Sequence, residues 1–345
     1  MTDTTGDDAL RRIDQYLESA MLTTRNPRVT PLAGDASDRR YFRLMVDGLS
    51  PRVLAVYPEP GDGAIAAFVD TAELFDAMGL PVPRVIARAD DLGVLVLEDL
   101  GDTSLQTHLA AADPIERAAR YRDAIELLVT LQDRGTALAS PARLAYQRAF
   151  DMEKLGGELE FFRTHFLEGH RGVRLAPDTR AALDKEFAAL ATRLAAEPRV
   201  LCHRDCHSRN LMVQAGRLRL IDFQDARLGP DTYDLASLLC DAYVDLRGEE
   251  AEAYRALFLD LRATRAGGAT GRAARQVFAR RFHVMAAQRT LKALGTFGFQ
   301  ASARGNPAYL AYVPRTLACA RAALAAWDDG ARLRTLLAGV VPELA

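Results

Sequence analysis

The chain changes its pattern once, near Gly101, and that change limits it to a fold built of two unlike parts. Before it, short apolar runs alternate with turn residues. The stretches 29–32, 39–46, 52–57, 84–88 and 94–97 read as strands, broken by Asp47-Gly48, by Pro58-Glu59-Pro60-Gly61-Asp62-Gly63 and by Asp90-Asp91-Leu92-Gly93. Only 8–22 and 64–78 carry helical spacing in this part, the second through Ile65, Phe68, Ala72, Phe75 and Met78, with Gly79 as its stop. After Gly101 the sequence is rich in alanine and leucine and reads as helices over 113–132, 151–169, 177–195, 231–246, 248–263, 270–294 and 308–327. Asp113-Pro114-Ile115-Glu116 opens the first of these, with an N-cap acid, proline at the first position and an acid in the first turn. One β-like interruption, 210–213 and 217–223, forms a hairpin around Ala215-Gly216. The expectation is an α+β chain: an antiparallel sheet plus helix over 1–97, and a larger, mainly helical part over 98–345, meeting at a hinge near 98–101.

Composition narrows the function. A chain of 345 residues that is 49% hydrophobic buries a core large enough for two lobes. Its 44 basic and 46 acidic side chains leave a net charge of −2, so no field gathers nucleic acid or an anionic membrane. A small-molecule partner is expected, with no obligate protein partner implied. No basic segment followed by an apolar run stands at the N-terminus, and no apolar stretch reaches about 18 residues. A cytoplasmic protein is the simplest reading. The four cysteines, Cys202, Cys206, Cys240 and Cys319, read as reduced thiols. Cys202-His203-Arg204-Asp205-Cys206-His207 packs four zinc-type ligands together, but no second pair follows at the spacing structural zinc needs.

The chemistry lies in His203-Arg204-Asp205-Cys206-His207-Ser208-Arg209-Asn210, with Ile221-Asp222-Phe223 beginning eleven residues after Asn210. Phosphoryl transfer to a hydroxyl needs a carboxylate near the attacking oxygen and oxygen ligands for a divalent ion on the phosphates. Asp205 suits the first task, Asn210 and Asp222 the second. An Asp five residues before an Asn, then a later Asp-Phe, is the spacing of the protein-kinase signature, except that Gln224 stands where that signature has glycine.

These segments, with IDFQDARLGPDTYDLASLL and PLAGDASDRRYFR, resemble the aminoglycoside phosphotransferase-like kinases over roughly 28–325. Within that family they are most similar to the bacterial 1-kinases of N-acetylmuramate and N-acetylglucosamine. The resemblance implies a protein-kinase-like two-lobed fold, ATP and Mg²⁺, and phosphorylation of the anomeric hydroxyl of a sugar in cell-wall recycling. It makes Asp205 the catalytic base, Asn210 and Asp222 the metal ligands, the main chain at Glu98 to Leu100 the adenine-binding hinge, and Gly34 to Asp38, with Ser37, the cover of the phosphates. Asp234 matches a family aspartate at a helix start, where it reads as an N-terminal cap holding the catalytic loop.

One departure stands out. Kinases of this fold carry a lysine on the third strand, and aligning Arg52-Val53-Leu54-Ala55-Val56-Tyr57 with that pattern puts Val56 in its place. A cation from the second strand is the expected substitute: Arg39, Arg40 or Arg43, with Arg43 preferred as a nucleotide contact. An aminoglycoside or other small-metabolite kinase, and a nucleotide-binding pseudokinase without turnover, remain open alternatives.

Overall fold

The computed structural model describes residues 4–32, 39–61 and 63–345. They divide into two compact units, one of Met1–Thr103 with Met212–Gln224 and one of Ser104–Leu211 with Asp225–Ala345.

The first unit holds an antiparallel sheet of β1 (Arg28–Pro31), β2 (Arg40–Met45), β3 (Arg52–Val56), β4 (Val85–Ala89) and β5 (Val94–Glu98), in the order β1-β2-β3-β5-β4. Strand alternation sends Phe42, Leu44, Leu54, Val56, Val94 and Val96 to one face, where they meet Ala9, Ile13 and Leu17 of α1 (Thr4–Ser19). Each such side chain contributes about 1.5–3 kcal/mol on burial. The register pairs Arg40 with Val56 and Arg43 with Val53. A slip of one residue would expose Phe42 and Leu44, so the buried face itself holds the register. The remaining helix, α2 (Ala64–Ala77), packs against β4 and gives Phe68 and Phe75 to Phe223, with ring centroids 4.9 and 5.4 Å away.

The second unit is helical: α3 (Leu105–Leu109), α4 (Pro114–Ala137), α5 (Leu144–Gln147), α6 (Met152–Phe162), α7 (Pro177–Ala195), α8 (Tyr233–Leu239), α9 (Gly248–Arg265), α10 (Arg272–Ser302), α11 (Val313–Ala325) and α12 (Ala331–Val340). Asp113 starts α4 as its chemistry predicts, one carboxylate oxygen accepting from the N–H groups of Ile115 and Glu116 at 2.8 Å each. Helix α10 runs past its expected end, through Gly295 and Gly298. A Cβ at Gly298 would stand 2.4 Å from the His165 carbonyl oxygen, and one at Gly295 2.8 Å from Phe162 Cα. These glycines allow close approach to the segment that follows α6, instead of stopping the helix. Along its length α10 also packs against α8 and α11.

A two-stranded sheet of β6 (Arg199–Cys202) and β9 (Arg227–Pro230) was not legible from the pattern. The expected hairpin is present as β7 (Leu211–Gln214) and β8 (Arg217–Leu220). No helix among the described residues is long and apolar enough to cross a membrane.

Candidate active site

In the second unit, β6 leads directly into the loop that carries Asp205. Antiparallel pairing sets Cys202 against Arg227, and the chain then bends at Arg204, whose φ of +87° is costly for a residue with a side chain. Asp234 holds the bend. Its carboxylate accepts from His203 N at 2.6 Å and Arg204 N at 3.0 Å. Asp234 holds the loop as expected, but not as a helix cap: it is the second residue of α8 and spends both oxygens on the loop instead of on its own helix. Burial raises its carboxyl to about 7, against the pull of those two hydrogen bonds.

Further along, Asp241 grips the other side of the loop. It accepts from Ser208 N and Tyr243 N, each at 2.8 Å, and this turn ends α8 well before the expected residue 246. Asn210 donates its amide nitrogen to the Asp205 carbonyl at 2.9 Å. Its amide oxygen, the hard donor that a magnesium ion accepts, is not the atom used in that bond.

Asp205 sits among cations. Its Oδ1 accepts from Lys292 Nζ at 2.9 Å and Arg289 Nη2 at 3.1 Å, and Arg204 Nε lies 3.7 Å from Oδ2. Burial alone would push the carboxyl up. Lys292, then Arg289 and Arg204, outweigh it and hold the group well below 3.8. Arg289 is fixed in turn by Ser237 Oγ at 2.6 Å. Burial pushes His207 down to about 3, so its ring is neutral near pH 7 and packs edge-on to Tyr243. A recess opens beside Asp205, walled by Tyr243 and Phe297 and lined by Ser237, Thr296, Arg289 and Lys292.

The two cations are one helical turn apart on α10, and sequence reasoning missed them. A signal was available: Arg289 and Lys292 stand among Val284, Met285, Ala286, Ala287, Leu291 and Leu294, and a buried cation requires an anion.

The first unit holds the other residues. Asp222 follows β8 with φ of +61°, a left-handed conformation that an Asp tolerates better than most side chains. Phe223 anchors it, fully buried between Phe68 and Phe75. Asp222 Oδ1 accepts from Gln224 Nε2 at 2.8 Å and from Arg39 Nη2 at 3.4 Å.

The segment expected to serve as hinge is ordered by arginines. Glu98 accepts from Arg219 Nη2 at 2.9 Å and Arg84 N at 3.2 Å, and Leu100 is buried. Arg43 makes four hydrogen bonds, two to Asp99 and two to Asp102, and Gln214 Nε2 donates to the Asp99 carbonyl at 3.1 Å. Arg43, the preferred nucleotide contact of the sequence reading, has its donors on these two carboxylates. Ser37 and the rest of Gly34 to Asp38 lie outside the described residues.

Cys202 and Cys206 are buried thiols, pushed well up by burial. Among the described residues no three His, Cys, Asp or Glu side chains form a metal-holding group. An ion such as Mg²⁺ asks for less, one or two protein oxygens with the remainder from phosphate and water.

An antiparallel sheet in one unit and a helical second unit are the parts of a protein-kinase-like fold, the class of the phosphotransferases. The family model described as "Phosphotransferase enzyme family" (APH) matches residues 28–275, and the chain belongs to that family. It is 33% identical over 310 residues to the N-acetylmuramate/N-acetylglucosamine kinase of Pseudomonas aeruginosa, covering 90% of this chain and 88% of that one. It is 33% identical over 322 residues to the protein of the same name from Neisseria meningitidis serogroup B, covering 91% of each. Among solved structures, an amicoumacin kinase in complex with AMP-PNP and Ca²⁺ shares the fold with a TM-score of 0.61 at 15% identity, covering 88% of this chain and 91% of that one.

Proposed function

We propose that this chain is an ATP- and Mg²⁺-dependent kinase that phosphorylates the anomeric hydroxyl of an N-acetylated amino sugar, N-acetylmuramate or N-acetylglucosamine, in the cytoplasmic recycling of peptidoglycan. The names of the curated relatives support the substrate class. The observation that carries the reading is the setting of Asp205: an ionised carboxylate facing a recess with an aromatic wall, hydroxyl groups and two cations.

Asp205 is the base. Its depressed pKa keeps it ionised throughout the working range, ready to accept the proton of the sugar hydroxyl as that oxygen bonds to phosphorus and the bond to the departing nucleoside diphosphate breaks. Asp222 and Asn210 supply a carboxylate and an amide oxygen, the donors Mg²⁺ prefers. The metal would neutralise phosphate charge. The main chain at Glu98 and Leu100 takes the adenine, and Ser37 lies in the segment that covers the phosphates.

The recess sets two cations, Lys292 and Arg289, against two acids, Asp205 and Asp241. Its second acid, Asp241, has both oxygens engaged by the loop, while Lys292 and Arg289 line the opening. An aminoglycoside would bring several ammonium groups against those cations.

The test supplies ATP and Mg²⁺ with N-acetylmuramate, N-acetylglucosamine, choline or kanamycin, and locates the new phosphate by phosphorus NMR. Phosphate on the anomeric oxygen, with loss of reducing-sugar reactivity, is expected for one or both amino sugars. Turnover of kanamycin alone would overturn the reading.

A further inference from the structure

The kinase reading leaves one charge without an owner. The lysine found on the third strand of kinases of this fold meets the α- and β-phosphates, and β3 has none. The faces of the strand decide which position matters. Leu54 and Val56 belong to the apolar cluster with Phe42, Leu44 and Ile13, so Val56 cannot present a group to a ligand. Alternation turns Val53, Ala55 and Tyr57 to the opposite face. Tyr57, not Val56, therefore stands where the lysine would.

Arg39 brings a cation to that position. Its guanidinium lies 5.8 Å from the Tyr57 ring centroid and 5.9 Å from that of Tyr41. Its Nη2 is 3.4 Å from Asp222 Oδ1, and its side chain is only 15% exposed. Two aromatic rings thus hold a desolvated, permanently charged group beside the carboxylate assigned to the metal. The neighbouring arginines do not compete. Arg40 pairs with Val56 and shares the face of Phe42, while Arg43 is engaged by Asp99 and Asp102.

We propose that Arg39 is the phosphate-contacting cation of this enzyme, in place of the third-strand lysine, and that its pairing with Asp222 is the resting contact it leaves for the nucleotide's diphosphate. This rests on the kinase reading above. A guanidinium is suited to the task, since it offers two parallel N–H donors to phosphate oxygens.

The experiment measures dissociation constants for ADP and for adenosine by isothermal titration, with Mg²⁺, on wild type, Arg39→Ala, Arg39→Lys and Arg43→Ala. Arg39→Ala should weaken ADP by at least ~10-fold, as expected for a charge-assisted pair, and leave adenosine within about twofold. Arg39→Lys keeps a cation between the same rings and should recover part of the loss. Arg43→Ala, which frees the 99–102 segment, should weaken ADP and adenosine by similar factors. Equal weakening of both ligands by Arg39→Ala, no weakening of either, or no recovery in a folded Arg39→Lys would overturn the proposal. A folded wild type that binds neither ligand would instead overturn the kinase reading, and this proposal with it.

Discussion

Asp222 and Asp205, one in each unit, are prepared for opposite tasks. Asp222 keeps 43% of its side chain exposed and accepts from Gln224 at 2.8 Å and from Arg39 at 3.4 Å. Asp205 keeps 20%, and its carboxylate is met at 2.9 and 3.1 Å by Lys292 and Arg289, with Arg204 further off. Two cations of α10 thus face Asp205 directly, while the guanidinium beside Asp222 stands further off. A carboxylate already neutralised by bound ammonium and guanidinium groups is a poor seat for a divalent ion. One that is more exposed, and met by an amide at 2.8 Å and a guanidinium at 3.4 Å, is a better one.

The largest effect expected from this contrast is at Asp222. Asp222→Asn keeps a residue that tolerates a positive φ but removes the charge, and should lower turnover by ~10³ or more, the scale of several kcal/mol of Lewis-acid stabilisation. Asn210→Ala should cost less, because an amide carries no charge. Nucleotide consumption at saturating Mg²⁺ measures both, and an Asp222→Asn enzyme within tenfold of wild type would break the contrast. Activity should also vanish in excess chelator.

The next effect has two parts. Asp205→Asn should lower turnover by ~10² or more as the base is lost. It should also destabilise the fold by about 3 kcal/mol, because Lys292 and Arg289 are left facing a neutral amide. The pH dependence of that loss has a definite sign. Burial already lowers the Lys292 ammonium, and without Asp205 it falls further, so the folded variant binds fewer protons than the unfolded chain. Stability then rises with pH, and the deficit in denaturant midpoint should narrow between pH 7 and 9.5. A deficit that stays constant would mean that the buried cations are not its source.

The smallest effect sharpens the electrostatics. In wild type the stabilising contribution of the Asp205 ion pairs is complete above 3.8 and is lost only as pH falls through the depressed value. Lys292→Met removes the cation with the largest influence on that carboxyl, so the acid limb of kcat/KM against pH should move upward. A limb that does not move would assign the depression to Arg289 and Arg204.

Much of this molecule was readable along the chain. Alternating runs identified the five strands of the first unit, and Asp113-Pro114 marked the start of α4, because each signal depends on residues within a few positions of one another. The spacing of Asp205, Asn210 and Asp222 pointed to the proposed chemistry for the same reason: one loop and one hairpin carry all three. Pairings between distant segments were not readable. Strands β6 and β9, four residues each, find one another across an intervening loop and hairpin, and no local pattern announces them. Gly295 and Gly298 look like helix stops until the backbone they touch is known.

The same division runs through the candidate site. The sequence by itself determined which residues can carry a proton or a metal, since that depends on side-chain chemistry and local spacing. Only the tertiary structure decided their electrostatic setting. The two cations bonded to Asp205 come from α10, 84 and 87 residues away, and the guanidinium beside Asp222 comes from a position 183 residues earlier in the chain. Coulomb interactions act through space over a few ångströms regardless of chain order, so the charge that sets each carboxylate's task appears only once the backbone has brought it there.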